Sequence, residues 1–193
     1  RSPNWVKRGD VFYWSSTGPP AQVPCQAFEE GDFGSIEADW AAVRVGDRKL
    51  TLLSDLVRSH TLFYARHDGR WLVSDSPEAM REHLSDWLLD EVAAEVFELT
   101  GFALNDRTLV EGASVVEAAS RVSLPFGEQQ ADITFWGVPL YGSQQVQDPE
   151  EFSQLYGRAV RQTFSTLLRR TGERQLVIPL SGGLDSRLNV PRL

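Results

Sequence analysis

The residues best suited to chemistry are a pair of glycines, flanked by serines and followed by an aspartate. They come directly after the apolar segment 175–180, which is typical of a short buried strand. Successive glycine N–H groups can converge on a phosphate, and serine hydroxyls can donate hydrogen bonds from its sides. The aspartate would repel a phosphate unless Mg²⁺ lay between them, so the pattern predicts a site for a metal–nucleotide complex. The six residues are Ser181, Gly182, Gly183, Leu184, Asp185 and Ser186, and the predicted metal ligand is Asp185.

The elements that would position this loop begin with a long amphipathic helix. Asp148 is suited to the N-cap, Pro149 to the first turn and Glu151 to a capping-box-like spacing. Arg169 and Arg170 would lie at the negative end of the helix dipole. Apolar residues recur at helical spacing between these ends, namely Phe152, Leu155, Tyr156, Ala159, Val160, Phe164, Leu167 and Leu168. This helix and the apolar strand after it would lead into the loop.

The earlier part of the chain has the pattern of an antiparallel sheet with short helices. Asp68-Gly69 predicts a hairpin turn between strands at 61–66 and 71–74, and further strands are expected within 36–45 and at 48–53. Ser76-Pro77 predicts a helix that runs to about Leu84. A second helix is expected over 90–99, with Val92, Val96 and Leu99 on one stripe, and residues 101–137 return to strands and turns.

The composition narrows the classes of partner. The formal net charge is −8, and no block of Lys and Arg provides a surface for nucleic-acid phosphates. No apolar run approaches the roughly 20 residues that span a bilayer. The single cysteine, Cys25, cannot form an internal disulfide, and His60, His67 and His83 lack the spacing of a zinc site. We therefore expect a cytoplasmic protein with neither a membrane nor a nucleic acid as its partner.

The motif Ser-Gly-Gly-Leu-Asp-Ser after an apolar strand resembles the pyrophosphate-binding loop of the PP-loop ATP pyrophosphatase superfamily. Upstream segments, in the same order, resemble asparagine synthetase-like proteins, and the likeness covers roughly residues 31–188. These segments are Gly31-Asp32-Phe33, residues 50–55, Thr61-Leu62-Phe63-Tyr64-Ala65, Trp71-Leu72-Val73-Ser74-Asp75 and Arg107-Thr108-Leu109-Val110-Glu111-Gly112.

The resemblance implies an α+β fold in two parts. Residues 1–90 would form an incomplete Ntn-amidohydrolase-like antiparallel sandwich of the glutaminase type, residues 91–147 a connector, and residues 148–193 the start of an α/β PP-loop domain. The implied activity is an ATP-dependent amide ligation, in which a carboxylate is adenylated and then attacked by an amine. Ser181, Gly182, Gly183 and Ser186 would hold the pyrophosphate, and Asp185 would bind Mg²⁺. The implied partners are ATP, a carboxylate and an amine acceptor, and association with further copies of the same chain as a homo-oligomer.

The chain departs from this family at its N-terminal end. Family glutaminases use an N-terminal cysteine, whereas residue 1 here is Arg and Cys25 is internal, with no partner for activation visible in the sequence. The Asn-Gly-Glu stretch that holds glutamine in the family is also missing, so we expect no glutamine hydrolysis. This pattern is similar to family members that dispense with glutamine, such as β-lactam synthetase-like enzymes, lasso-peptide cyclases and proteins of polysaccharide gene clusters. Arg187, the residue after the loop, does not indicate which of these three groups the chain resembles.

The chain also departs from the family after the loop, where only residues 187–193 follow. Family synthetase domains continue well beyond this point and supply the adenine pocket and the acceptor site. We therefore expect the 193-residue chain to be inactive by itself, as a portion of a larger ligase. The alternative is a truncated, non-catalytic binding or scaffolding module, which would self-associate through the apolar stripe of the long helix, Phe152–Leu168.

Overall fold

The structure is a computed structural model that describes residues 5–16, 28, 31, 33, 39–84, 88–137, 148–173, 175, 177 and 183. The chain divides into two compact units, Arg1–Pro139 and Leu140–Leu193. The first unit contains nine strands and two helices among its described residues, and the second contains one helix.

Two antiparallel sheets form the first unit. The six-stranded sheet has the order β1-β2-β3-β4-β8-β9, and the three-stranded sheet has the order β6-β5-β7. Every pairing between these strands is antiparallel. Mixed helices and antiparallel sheets confirm the predicted α+β class. The strands are β1 Trp5–Arg8, β2 Val11–Trp14, β3 Ala41–Val45, β4 Lys49–Ser54, β5 Phe63–His67, β6 Arg70–Ser74, β7 Ala113–Val115, β8 Ser120–Pro125 and β9 Asp132–Phe135.

The hydrophobic core lies on both faces of the six-stranded sheet. Side chains alternate between the faces along each strand, so Leu52 and Leu53 of β4 belong to different clusters. The cluster of Leu52 also includes Tyr64 of β5 and contacts Val73 of β6, which places it between the two sheets. The cluster of Leu53 covers the opposite face and includes Trp40. The first unit is therefore a two-layer sandwich with further packing on one outer face.

The segment predicted as a connector supplies strands to both sheets. Strand β8 pairs with β4, with Leu52 opposite Val122, and β7 pairs with β5, with Tyr64 opposite Ser114. The first unit consequently extends to Pro139, beyond the boundary expected at residue 90. Backbone hydrogen bonds across these pairs make the later strands part of the same sandwich.

Local signals in the sequence were accurate for the hairpin and the helix starts. Asp68 and Gly69 have φ values of 48° and 74°, the left-handed geometry of a two-residue hairpin. Helix α1, Pro77–Arg81, is capped by Ser76, and helix α2, Glu91–Thr100, is capped by Asp90. The apolar stripe of Val92, Val96 and Leu99 is not the face that α2 buries. The buried residue of the helix is Ala93, whereas Leu99 is 87% exposed.

The second unit contains helix α3, Pro149–Thr171. The Asp148 carboxylate accepts a hydrogen bond from the Glu150 backbone N–H at 3.0 Å, which confirms the predicted cap. Arg169 and Arg170 lie in the last turn. Most of the predicted strand at 175–180 lies outside the described residues. No helix in the described parts of either unit combines the length and apolarity that crossing a bilayer requires.

Candidate functional site

The predicted nucleotide loop lies almost entirely outside the described part of the chain. Gly183 is described, as an exposed residue, and the other five predicted site residues are outside the described set. Cys25 also lies outside it. The loop therefore remains a prediction from the sequence, and the geometry available for chemistry is that of the first unit. The five predicted site residues outside the described set are Ser181, Gly182, Leu184, Asp185 and Ser186.

A cleft of about 1050 Å³ lies in the first unit. Strands β1 to β4 of the six-stranded sheet form one side. The other side is formed by the residues before β5 and by the end of β6 with the start of α1. Most of its lining is apolar, with a few polar groups, which is typical of ligand-binding sites. The cleft is lined by Trp5, Lys7, Phe12, Val43, Val45, Leu50, His60, Leu62, Val73, Ser74, Asp75, Ser76 and Ala79.

A single carboxylate oxygen at one end of the cleft has two hydrogen-bonding partners. The Trp5 indole Nε1–H donates to Asp75 Oδ2 at 2.7 Å, and His60 Nε2 lies 3.4 Å from the same oxygen. Asp75 follows the last residue of β6 and precedes the N-cap of α1. The three side chains therefore connect β1 of one sheet to the end of β6 in the other.

Two aromatic rings hold the His60 imidazole in place. The imidazole stacks on the Trp14 indole, with ring centroids 4.1 Å apart and planes inclined by 12°. The Trp5 indole meets it edge-on at 5.6 Å. Only 17% of the His60 side chain is exposed, so its orientation is fixed by packing as well as by Asp75.

Asp75 is held in its ionised form. Desolvation by burial raises the pKa of its carboxyl, but the hydrogen bonds from Trp5 and His60 outweigh that effect. The net result is a pKa below the ordinary value of 3.8. The carboxylate is therefore charged at neutral pH, and its charge is engaged by groups of the protein itself.

This arrangement orients an imidazole, and the two serines that line the cleft are engaged with neighbouring groups. A triad requires a hydroxyl or thiol within hydrogen-bonding distance of the imidazole. Ser74 Oγ accepts a hydrogen bond from the Ser76 backbone N–H, and Ser76 Oγ donates to Glu78. Among the described residues no group of three or more His, Cys, Asp or Glu side chains could hold a metal ion.

Sequence reasoning did not identify this cleft. In the sequence His60 is one of three scattered histidines, and Trp5 and Asp75 are separated by 70 positions. No local spacing links residues this far apart, because the fold of the two sheets brings them together. The one available signal was the position of Asp75 directly after a predicted strand.

Comparison with known proteins adds no family assignment. No protein-family model matches the chain, and no curated protein matches it. The resemblance to asparagine synthetase-like proteins therefore rests on the quoted sequence motifs.

Proposed function

We propose that the chain is the N-terminal portion of an ATP-dependent amide-forming ligase that resembles asparagine synthetase. The observation that carries this proposal is the run Ser181–Ser186. It directly follows the apolar segment 175–180, which comes shortly after the end of helix α3. Paired glycines, flanking hydroxyls and one carboxylate suit a magnesium-bound pyrophosphate better than they suit a bare anion. A reaction that consumes ATP is expected in the cytoplasm.

The proposed reaction has two steps. A carboxylate oxygen of the substrate attacks the α-phosphorus of ATP, and the bond to the bridging oxygen of the β-phosphate breaks to release pyrophosphate. An amine then attacks the acyl carbon of the adenylate, AMP leaves, and the amine nitrogen loses a proton. Ser181, Gly182, Gly183 and Ser186 would donate hydrogen bonds to the departing pyrophosphate, and Asp185 would bind Mg²⁺. Stabilising the charge on this leaving group is their main contribution to the rate.

The structure of the first unit supports the proposal at the level of fold class. The proposal expects an antiparallel α+β sandwich before the nucleotide domain, and two antiparallel sheets share a core there. It also expects a capped helix before the loop, and α3 with Asp148 at its N-cap lies at that place in the sequence. Both features agree with the proposed order of domains.

The test is the release of pyrophosphate from ATP by the full-length protein, with candidate carboxylates and amines supplied. We expect Asp185→Ala and Asp185→Asn to reduce the rate at least about 100-fold, because the metal that neutralises the leaving group loses its carboxylate ligand. Glu173→Ala, which removes an acidic residue near the end of α3, is the matched control and should retain the activity. Unchanged pyrophosphate release in both Asp185 variants would disprove the assignment.

The second candidate function is a non-catalytic binding or scaffolding module. The exposed aromatic residues of α3 favour it, since Phe152 and Tyr156 are 56% and 54% exposed and their rings stack. This candidate predicts self-association and no affinity for Mg-ATP. Sedimentation of a monomer, together with measurable Mg-ATP binding, would exclude it. An intact mass near 21.6 kDa would favour it over the ligase.

A further inference from the structure

The apolar part of the cleft belongs to the inner face of the six-stranded sheet, at a place where that face is open to solvent. Ala41, Val43 and Val45 alternate onto the inner face of β3, and Ala41 is fully buried between the sheets. Val45 continues this row, yet 45% of it is exposed. Phe12 and Leu50 also line the cleft here, and with Val43 and Val45 they form an apolar trough. An inward-facing apolar row that reaches solvent provides a surface for the apolar body of a small molecule.

The ammonium group of Lys7 lies beside this trough. Lys7 shares the inner face of β1 with Trp5, and its Nζ lies 5.3 Å from the centre of the Phe12 ring. Arg8, the next residue, faces the other way and lies over Tyr13 in the opposite cluster. No carboxylate among the described residues pairs with Lys7. Its ammonium group is therefore available to an anion from outside.

The carboxylate that lines the cleft, Asp75, is engaged by groups of the protein itself. It accepts a hydrogen bond from Trp5 and lies 3.4 Å from His60 Nε2, so it offers little to a cation from outside. Its negative charge disfavours an anionic group at that end of the cleft. An anion would therefore be bound at Lys7, with its apolar body along Phe12, Val43 and Leu50.

We propose that the cleft binds a small molecule with one anionic head group, held by Lys7, and an apolar body that lies in the trough. The inference is independent of the proposed ligase activity, because it uses none of the residues of the nucleotide loop. Carboxylate, sulfate and phosphate monoester heads share the required chemistry.

The test uses octanoate, with 1-octanol and octylamine as uncharged and cationic counterparts of equal chain length. Binding is followed by the NMR shift of the Trp5 indole N–H, which lies in the cleft. We expect octanoate to bind at least about fivefold more tightly than octanol, and Lys7→Gln to remove this preference. Arg8→Gln removes the same charge from the opposite face and should preserve it. Octyl sulfate and octyl phosphate identify the preferred head group.

A second pair of variants tests the position of the ligand. Ala79 is exposed and lines the cleft, so Ala79→Trp should fill the trough and weaken octanoate binding about tenfold or more. Arg81→Trp adds the same ring on α1 outside the cleft and should have no effect. The proposal is overturned if octanoate gives no saturable shift at millimolar concentrations. Equal binding of octylamine, or equal effects of the two Trp variants, would overturn it as well.

Discussion

The imidazole of His60 lies flat against the indole of Trp14, with the ring centroids 4.1 Å apart. Trp14 is the last residue of β2 in the six-stranded sheet, and His60 lies in the segment between β4 and β5. His60 also pairs with Asp75 at the end of β6. The His60 side chain therefore contacts elements of both sheets at one end of the cleft, where the hydrogen bond from Trp5 to Asp75 also joins them.

We expect His60→Ala to lower the free energy of unfolding by about 1.5–3 kcal/mol, because the variant loses a stacked ring and a cross-sheet hydrogen bond. His60→Phe keeps an aromatic ring against Trp14 and should recover about half of the loss. Denaturation in urea measures both variants. His67→Ala is the control, since His67 lies at the hairpin and its imidazole pairs with the exposed Asp68. An equal loss in the His60 and His67 variants would show that the stacked contact does not stabilise the sandwich.

Asp75 gives the stability a defined dependence on pH. Its pKa in the folded protein is below the ordinary value of 3.8, so the charged form is favoured by folding. The resulting stabilisation is fully present above that ordinary value and is lost as the pH falls through the lowered pKa. Asp75→Asn should abolish this part of the dependence. The difference in unfolding free energy between wild type and variant should therefore be constant above about pH 5 and shrink below it.

Asp132→Asn, which removes one acidic charge from the exposed strand β9, controls for the general effect of net charge at low pH. Denaturation midpoints at several pH values provide the measurement. A difference between wild type and Asp75→Asn that grows on acidification would mean that the hydrogen bonds from Trp5 and His60 do not favour the carboxylate.

The hairpin between β5 and β6 depends on a left-handed backbone at Gly69, whose φ is 74°. A Cβ at this position would meet no atom within 4 Å, so the cost of Gly69→Ala comes from the backbone alone. We expect a loss of about 1 kcal/mol in the free energy of unfolding. Gly69→Asn should lose less, because Asn tolerates this conformation. If Ala and Asn cost the same in urea denaturation, the turn does not have this geometry in solution.

The features that sequence predicted well are those that neighbouring residues determine. Asp68-Gly69 specifies its own turn, and Ser76, Asp90 and Asp148 each accept a hydrogen bond from a backbone N–H two or three positions ahead. Such contacts need no knowledge of the rest of the fold.

The features that sequence did not predict depend on distant pairing. Strand β8 lies beside β4 although some 70 residues separate Leu52 from Val122, and no local pattern indicates that choice of partner. The same holds for Trp5 and Asp75, which are brought together by the sandwich. The predicted nucleotide loop is a different case. Its residues are contiguous, and its chemistry is a prediction from the sequence alone.

Helix α2 shows how a distant contact can set the face that a helix buries. Asp90 caps the helix and also pairs with Arg107, at 2.8 Å between Oδ2 and Nη1. Leu89 forms a bridge with Val110 just before the helix begins. These anchors fix the start of α2 against residues 107–110, and Ala93 then faces inward in place of Leu99.

This placement predicts opposite outcomes for two substitutions in α2. Leu99→Ala should change the free energy of unfolding by less than about 0.5 kcal/mol, because Leu99 is largely in solvent. Ala93→Leu should cost about 1–3 kcal/mol, because a larger side chain has no room at a buried position. Both residues lie on one helix, and both substitutions exchange Ala and Leu, so the helix propensity changes little. Each variant is therefore a control for the other. Urea denaturation decides between the two faces. A large loss for Leu99→Ala with little loss for Ala93→Leu would mean that α2 buries the stripe of Val92, Val96 and Leu99 after all.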